Sequence, residues 1–264
     1  MSERDDDVPR VGETLDRRVM QFSDAEIQSR MWLRDPDALD LDYTRLMMGF
    51  LLFAGAAERI AMIGLGGGSI AKFCHRHLRR TRLEVAEINP EVLALRERFQ
   101  VPPDDERLVV RLVDGARFVR DAPERFDALL VDGFDRHGLP RQLCSQRFYD
   151  DAADALQPAG VLVANLHANH AEQPVWLARI RHSFGHEPLV VHDDDRSNCV
   201  VFACRGGLRP AAGALRCAPA LAPAGWAALS TAFEHIASAA RLAIRDDGDA
   251  TRCSAVDGIK RWSR

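Results

Sequence analysis

Short apolar segments alternate with amphipathic segments from residue 59 onward, which is the pattern of a sheet flanked by helices. Five apolar segments are predicted as strands: 59–65, 82–88, 107–113, 125–132 and 159–166. Helices are predicted between them, after a glycine-rich turn at 66–68, at Asn89-Pro90, after Asp114-Gly115 and at 145–156. Because strands joined through helices pair in parallel, these five strands are expected to form one parallel sheet.

Two further strands, 187–193 and 197–204, follow a predicted helix over 175–184. Only a tight acidic turn separates them, so they must pair antiparallel, since a parallel crossover needs about a dozen residues. The predicted fold is therefore α/β, with a mostly parallel seven-stranded sheet and an antiparallel last strand. This is the Rossmann-type fold of class I S-adenosylmethionine-dependent methyltransferases, whereas nicotinamide-binding Rossmann enzymes usually lack the final hairpin.

Three regions are predicted along the chain. Residues 1–55 form an N-terminal extension, with a β-hairpin from the segments 17–24 and 26–34 and a helix from Tyr43 to Phe53, placed to cover a cofactor pocket. Residues 56–206 form the nucleoside-binding catalytic core. Residues 207–264 contain an Ala/Pro-rich linker, a helix from Trp226 to Ile244 and a polar tail.

Charge and composition narrow the classes of function. The formal net charge of -4 argues against nucleic acid as a partner bound through bulk positive charge. The N-terminal segment is charged and the longest apolar run, 46–57, is too short to cross a bilayer, so neither a signal peptide nor a membrane partner is expected. The six cysteines are scattered, which indicates neither a disulfide framework nor a metal site. These features favour a cytoplasmic protein.

A glycine-rich turn and four carboxylates carry the candidate chemistry. The segment 63–69 has the sequence IGLGGGS, whose glycines allow the backbone to approach a nucleotide at the start of a helix: Gly64, Gly66 and Gly68. Glu87 follows the second strand, where a carboxylate can bind ribose hydroxyls, and Asp114 follows the third, where it can bind an adenine amine. Asp132 and Asp135 follow the fourth. Because ligands of open α/β sheets bind at the carboxyl ends of the strands, these side chains are expected to converge on one pocket.

Residues 19–205 resemble the spermidine synthase (polyamine aminopropyltransferase) family. That family has a glycine-rich loop after the first strand, an acidic residue after the second, Asp-Gly after the third (here Asp114-Gly115) and Asp-x-x-Asp after the fourth (here 132–135). The resemblance implies that Asp132 accepts the proton of the attacking amine and also contacts the cofactor. It implies that Asp135 binds the amine substrate, and that Glu87 and Asp114-Gly115 bind the nucleoside.

The N-terminal extension adds two residues through the same resemblance. Gln28 resembles a cofactor-contacting Gln of the family, and Tyr43 resembles its pocket Tyr, a catalytic and substrate-binding residue. The resemblance implies decarboxylated S-adenosylmethionine or S-adenosylmethionine as co-substrate, a small-molecule amine as acceptor, no metal, and a homodimer formed through the N-terminal hairpin. A carboxylate beside an amine suits this chemistry because an ammonium group must lose a proton before it can attack.

Departures from the family leave alternatives open. Gly67 stands where the family has the loop aspartate that pairs with the aminopropyl ammonium, and Arg136 stands where it has a proline. The first hypothesis is an aminopropyltransferase acting on a polyamine, with Asp132 as base. In the second, Gly67 leaves room for the carboxylate of intact S-adenosylmethionine, and the chain is a methyltransferase or an aminocarboxypropyl transferase. In the third, the core is a non-catalytic nucleoside-binding module.

Overall fold

The N-terminal extension forms a three-stranded antiparallel sheet whose strands lie side by side in chain order. The computed structural model describes residues 8–22, 27–54, 56–122, 126–135, 138–209 and 221–257, with side chains described up to residue 241. The strands are β1 (Arg10–Glu13), β2 (Arg17–Gln21) and β3 (Ser29–Trp32). The predicted hairpin corresponds to β2 and β3, although residues 23–26 lie outside the described part of the chain. Strand β1, which pairs with β2, was not predicted.

The helix predicted from Tyr43 to Phe53 is divided into α1 (Asp42–Met47) and α2 (Phe50–Phe53). Gly49 lies at the junction, and a Cβ atom there would come within 2.5 Å of the Ile236 side chain. Glycine permits this close approach and stabilises a continuous helix less than other residues do. A glycine at this junction therefore meets a packing requirement set by a distant part of the chain.

The main sheet has seven strands: β4 (Arg59–Ile63), β5 (Arg82–Glu87), β6 (Leu108–Leu112), β7 (Phe126–Val131), β8 (Leu156–His167), β9 (Leu189–His192) and β10 (Asn198–Ala203). Their order in the sheet is β6-β5-β4-β7-β8-β10-β9. Pairing is parallel from β6 to β8, and β10 lies antiparallel between β8 and β9, so the predicted fold class is confirmed. Because β5 and β7 lie on opposite sides of β4, a crevice forms where the strand order reverses.

Helices cover both faces of this sheet. They are α3 (Ser69–His77), α4 (Pro90–Ala94), α5 (Gly115–Arg120), a 3₁₀ turn (Arg141–Leu143), α6 (Gln146–Ala155), α7 (Gln173–Phe184) and α8 (Pro223–Asp257). The backbone of α8 continues past Ile244, so the predicted boundary between the last helix and a polar tail was wrong. None of the described helices combines the length and the apolar character needed to cross a bilayer.

Alternation along the strands creates two apolar cores. In β7, Ala128 and Leu130 face a cluster that includes Phe73 of α3 and Phe233 of α8. Leu129 and Val131 face the opposite cluster, to which α5, α6 and α7 contribute. This period of two determines which residues are buried on each face of the sheet. The two cores pack against the faces, so the carboxyl ends of the strands remain available for a site.

Candidate active site

A cavity of about 480 Å³ lies at the carboxyl ends of β4 to β7, below the N-terminal sheet and α1. Of the site residues predicted from the sequence, only Gly68 is not part of its wall. The others line it: Gln28, Tyr43, Gly64, Gly66, Glu87, Asp114, Gly115, Asp132 and Asp135. The expected convergence of residues from four strand ends is therefore present in the structure. The roles assigned to these residues remain predictions.

The glycine loop after β4 has left-handed backbone angles at three of its glycines. Gly64 has φ of 88°, and a Cβ atom at this position would lie 2.1 Å from the carbonyl oxygen of Asp132. Gly68 precedes α3 with φ of 70°, and its missing Cβ would meet the Val101 side chain, away from the cavity. Gly64 and Gly66 thus shape the cavity wall, whereas Gly68 serves packing of the helix start.

Glu87, the last residue of β5, is anchored by two backbone donors. Its Oε2 atom accepts a hydrogen bond from the N–H of Leu65, and Oε1 accepts one from the N–H of Asn89, each at 2.8 Å. The side chain is buried, yet it lines the cavity. Since each carboxylate oxygen has two lone pairs, the second pair on each remains for a ligand with two adjacent hydroxyl groups.

Asp114 has a structural role as well as a place in the cavity wall. Its Oδ1 atom accepts a hydrogen bond from the N–H of Arg117 at 2.8 Å and caps α5. At the next position, a Cβ atom on Gly115 would lie 2.4 Å from the Ile63 side chain, so glycine allows α5 to begin against β4. The described residues donate no hydrogen bond to Oδ2, which leaves that atom for a ligand.

Asp132 follows β7, and its carboxylate is held between two side chains. The Tyr43 hydroxyl donates to Oδ2 at 3.3 Å, and the Asn165 amide donates to Oδ1 at 3.0 Å. Burial raises the pKa of Asp132, and the two hydrogen bonds oppose that rise because they stabilise the charged form. Burial and the negative charge of Asp132 together raise the pKa of Tyr43 well above its usual value, so Tyr43 acts as a donor near neutral pH.

Asp135 lies three residues further along the same loop. Its backbone pairs with Gly138 in both directions, at 3.0 Å and 3.1 Å, and Gly138 closes this turn with φ of 108°. The turn brings Asp135 to the cavity wall. Arg136, singled out above as a departure from the family, lies outside the described residues.

The glycine loop holds no vacant volume at Gly67. A Cβ atom there would lie 2.5 Å from the Ser29 hydroxyl oxygen and 2.8 Å from Cδ1 of Phe99. The second hypothesis assigned the space beside Gly67 to a substrate carboxylate; these contacts concern a side chain at position 67 and not a ligand, so that hypothesis stays a prediction. Ser29 lines the cavity beside Gln28, so β3 fills the space that the missing side chain leaves.

The charge of the cavity wall is one-sided. Its described residues include no lysine, arginine or histidine. They include five carboxylates: Glu87, Glu91, Asp114, Asp132 and Asp135. Sequence reasoning missed Glu91, Ser29 and Asn165. Of these, Asn165 had a visible signal, because it is the single amide within the predicted apolar strand 159–166. Within the ranges that the structure describes, no group of three or more His, Cys, Asp or Glu side chains is arranged to hold a metal ion.

Comparison with known proteins gives a consistent set of relatives. The family described as Spermine/spermidine synthase domain matches residues 41–182. The polyamine aminopropyltransferase of Chromobacterium violaceum is 35% identical over 189 residues, which are 71% of this chain and 72% of that protein. A solved structure titled as a probable spermidine synthase from Corynebacterium glutamicum is 20% identical with a TM-score of 0.63, covering 74% of this chain and 76% of its own. Human methyltransferase-like protein 13 in complex with SAH is 21% identical with a TM-score of 0.58, covering 74% and 92%. Because both structures share the fold, the fold alone does not identify the group transferred.

Proposed function

Because the chain belongs to the spermine/spermidine synthase family, we propose that it is an aminopropyltransferase that uses decarboxylated S-adenosylmethionine and an acceptor of the polyamine class. Family membership makes it a transferase, as the relatives named polyamine aminopropyltransferase are. The negative charge of the cavity wall is the observation that supports this choice of co-substrate and acceptor.

Decarboxylated S-adenosylmethionine has two positive charges, one on the sulfonium and one on the terminal ammonium, and no negative charge. Intact S-adenosylmethionine has a carboxylate in addition. The described wall has five carboxylates and no basic side chain, so it repels that carboxylate and offers it no cationic partner. The acidic wall therefore favours the decarboxylated co-substrate and a cationic acceptor.

The nucleoside half of the co-substrate is assigned to the ends of β5 and β6. Glu87 is fixed by two backbone donors and has lone pairs left for the ribose hydroxyls. Oδ2 of Asp114, which accepts no hydrogen bond from the described residues, is assigned to the exocyclic amine of adenine. Ile88 is 60% exposed and lines the same cavity, so it offers an apolar surface to the adenine ring.

Transfer requires a neutral amine, and Asp132 is assigned as the group that makes it neutral. The acceptor nitrogen attacks the propyl carbon bonded to sulfur, the carbon–sulfur bond breaks with its electron pair passing to sulfur, and neutral methylthioadenosine leaves. The proton released by the attacking nitrogen passes to the Asp132 carboxylate. Asp135 lies on the same wall and is assigned to a second ammonium of the acceptor. The sulfonium is already a good leaving group, so positioning contributes more than further activation.

The terminal ammonium of the transferred group has no loop carboxylate in this chain. Ser29 and Phe99 occupy the volume in which a side chain at position 67 would lie. We assign this ammonium to Asp132, whose carboxylate lines the cavity, and leave Asp135 to the acceptor. Because the loop has no carboxylate to bind this ammonium, the affinity for decarboxylated S-adenosylmethionine depends on the remaining acidic residues of the wall.

The experiment is a product assay with purified protein. Decarboxylated S-adenosylmethionine is supplied with putrescine, cadaverine or spermidine, and mass spectrometry is expected to detect methylthioadenosine together with an equal amount of aminopropylated amine. Asp132→Asn is expected to lower turnover by about 10²–10⁴-fold. The matched control Asp121→Asn lies at an exposed helix end outside the cavity and should leave turnover unchanged.

Two results would overturn this assignment. Methylated or aminocarboxypropylated products, with preferential binding of intact S-adenosylmethionine, would favour the methyltransferase or aminocarboxypropyl transferase alternative. Binding of the nucleosides without any turnover would favour the non-catalytic module. Calorimetry with methylthioadenosine and S-adenosylhomocysteine in parallel separates these cases, because the two ligands differ in the carboxylate that the acidic wall repels.

Self-association through the N-terminal sheet is also proposed. Strand β1 pairs with β2 on one side and lies at the edge of the three-stranded sheet. An edge strand offers backbone donors and acceptors to a second copy. Light scattering of the purified chain is expected to give the mass of a dimer, and a monomeric mass would refute this.

A further inference from the structure

Asn165 is an exception in the central part of β8. Residues 160–166 of this strand are all buried, and Asn165 is the only one with a polar side chain. Its neighbours on the strand pack into the two apolar cores. An apolar residue of similar volume would satisfy the packing at this position, so packing alone does not account for an amide.

The amide is only half satisfied. Its Nδ2 atom donates to Oδ1 of Asp132 at 3.0 Å, whereas its Oδ1 atom is buried without a hydrogen-bond partner among the described residues. The opposite orientation would place the amide oxygen against the carboxylate oxygen, which is repulsive. An unpaired buried carbonyl is costly, so the contact with Asp132 is the feature that explains why an amide occupies this position.

We propose that Asn165 is a positioning residue, which holds the Asp132 carboxylate in the orientation and charge state needed to accept the acceptor proton. This inference rests on the proposed function, because it gives Asp132 the role of base. Asn165 itself is not part of the cavity wall, so it acts through Asp132 and not by touching the substrates.

Two side chains donate hydrogen bonds to the Asp132 carboxylate, one to each oxygen. Tyr43 from α1 donates to Oδ2, and Asn165 from β8 donates to Oδ1, so the carboxylate plane is fixed from two independent elements. Each oxygen keeps a lone pair for the substrate side. Both hydrogen bonds favour the ionised form and so oppose the rise in the pKa of Asp132 that burial causes. The other titratable groups of the described wall are acidic: Tyr43, Glu87, Glu91, Asp114 and Asp135.

The test removes the donor while keeping the volume, with Asn165→Leu. Loss of one hydrogen bond to a charged group is expected to raise the pKa of Asp132 by about one unit. Carbon-13 NMR of aspartate carboxylates, with the Asp132 signal identified by its absence in Asp132→Asn, measures that pKa without substrate. The acid limb of the pH profile of kcat should move upward by the same amount, so turnover below the limb falls about tenfold, while KM for the co-substrate above the limb stays unchanged.

A variant of a nearby exposed asparagine serves as the control. Asn169→Ala, on the exposed loop after β8, should change neither the NMR pKa nor the profile. If Asn165→Leu folds poorly, Asn165→Ser replaces it, since a hydroxyl one bond closer to the backbone does not reach Asp132. An unchanged Asp132 pKa together with an unchanged acid limb would overturn the positioning role. If the wild-type chain transfers no aminopropyl group, the proposed function fails, but the NMR pKa still decides the role of Asn165.

Discussion

Restoring the family's loop carboxylate with Gly67→Asp tests whether β3 has taken over the space beside the glycine loop. Gly67 lies outside the set of glycines with left-handed angles, so its backbone accepts a side chain and only sterics oppose one. The new Cβ would lie 2.5 Å from the Ser29 hydroxyl oxygen, 3.0 Å from Ser29 Cβ and 2.8 Å from the Phe99 ring. Overpacking of this kind typically costs about 1–3 kcal/mol, and we expect the free energy of unfolding to fall by that amount.

Adding Ser29→Gly removes two of those three contacts and should return part of the stability. The double-mutant cycle is expected to give a coupling energy of about 1–2 kcal/mol, measured by urea unfolding of the wild type, both single variants and the double variant. Under the proposed function, the double variant should also bind decarboxylated S-adenosylmethionine about tenfold more tightly than Ser29→Gly alone, which corresponds to ~1.4 kcal/mol. Wild-type stability of Gly67→Asp, or strictly additive effects, would refute the steric argument.

Three further predictions concern stability. Tyr149→Phe should be neutral or stabilising by about 1 kcal/mol, because the Tyr149 hydroxyl is buried without a hydrogen-bond partner among the described residues; a clear loss in urea unfolding would contradict this. Gly64→Ala should destabilise by more than about 2 kcal/mol, since it combines a left-handed angle with a contact against the Asp132 carbonyl, and a wild-type melting temperature would speak against that geometry. Burial lowers the pKa of Lys72 to about 8, so the unfolded chain binds more protons than the folded one between that pH and the usual lysine pKa of about 10.4. The stability of the wild type relative to Lys72→Met should therefore rise from pH 7 to pH 10, and a pH-independent difference would show that Lys72 does not titrate in this way.

Local patterns were sufficient to predict the main sheet and the wall of its cavity. Strand periodicity placed Glu87 and Asp114 at successive strand ends, and the topology rule for open α/β sheets brought them together without knowledge of any contact. The short acidic turn before β10 fixed the antiparallel end of the sheet in the same local way. Each of these inferences depends on residues within one element and its immediate neighbours.

Features set by distant contacts could not be predicted. Gly49, at the junction of α1 and α2, lies against Ile236 of α8, which is far from it along the chain. The volume beside Gly67 is filled by Ser29 of another sheet, so the missing side chain did not mean an open space. The orientation of Asp132 depends on an amide in β8, which the sequence marks as unusual without showing what it contacts.

Asp132 links the glycine loop to the proposed base through its backbone as well as its side chain. Its N–H donates to the carbonyl oxygen of Ile63 at 2.9 Å, and its own carbonyl oxygen occupies the space that a Cβ atom on Gly64 would need. The start of the glycine loop and the carboxylate are therefore held at a fixed separation by β4 and β7. Under the proposed function, transfer requires the reacting carbon and the base to be held at a fixed distance, and this backbone contact is one way in which the chain fixes it. A change at Gly64 should consequently disturb nucleoside binding and proton transfer together, whereas a change at Asn165 should affect proton transfer alone.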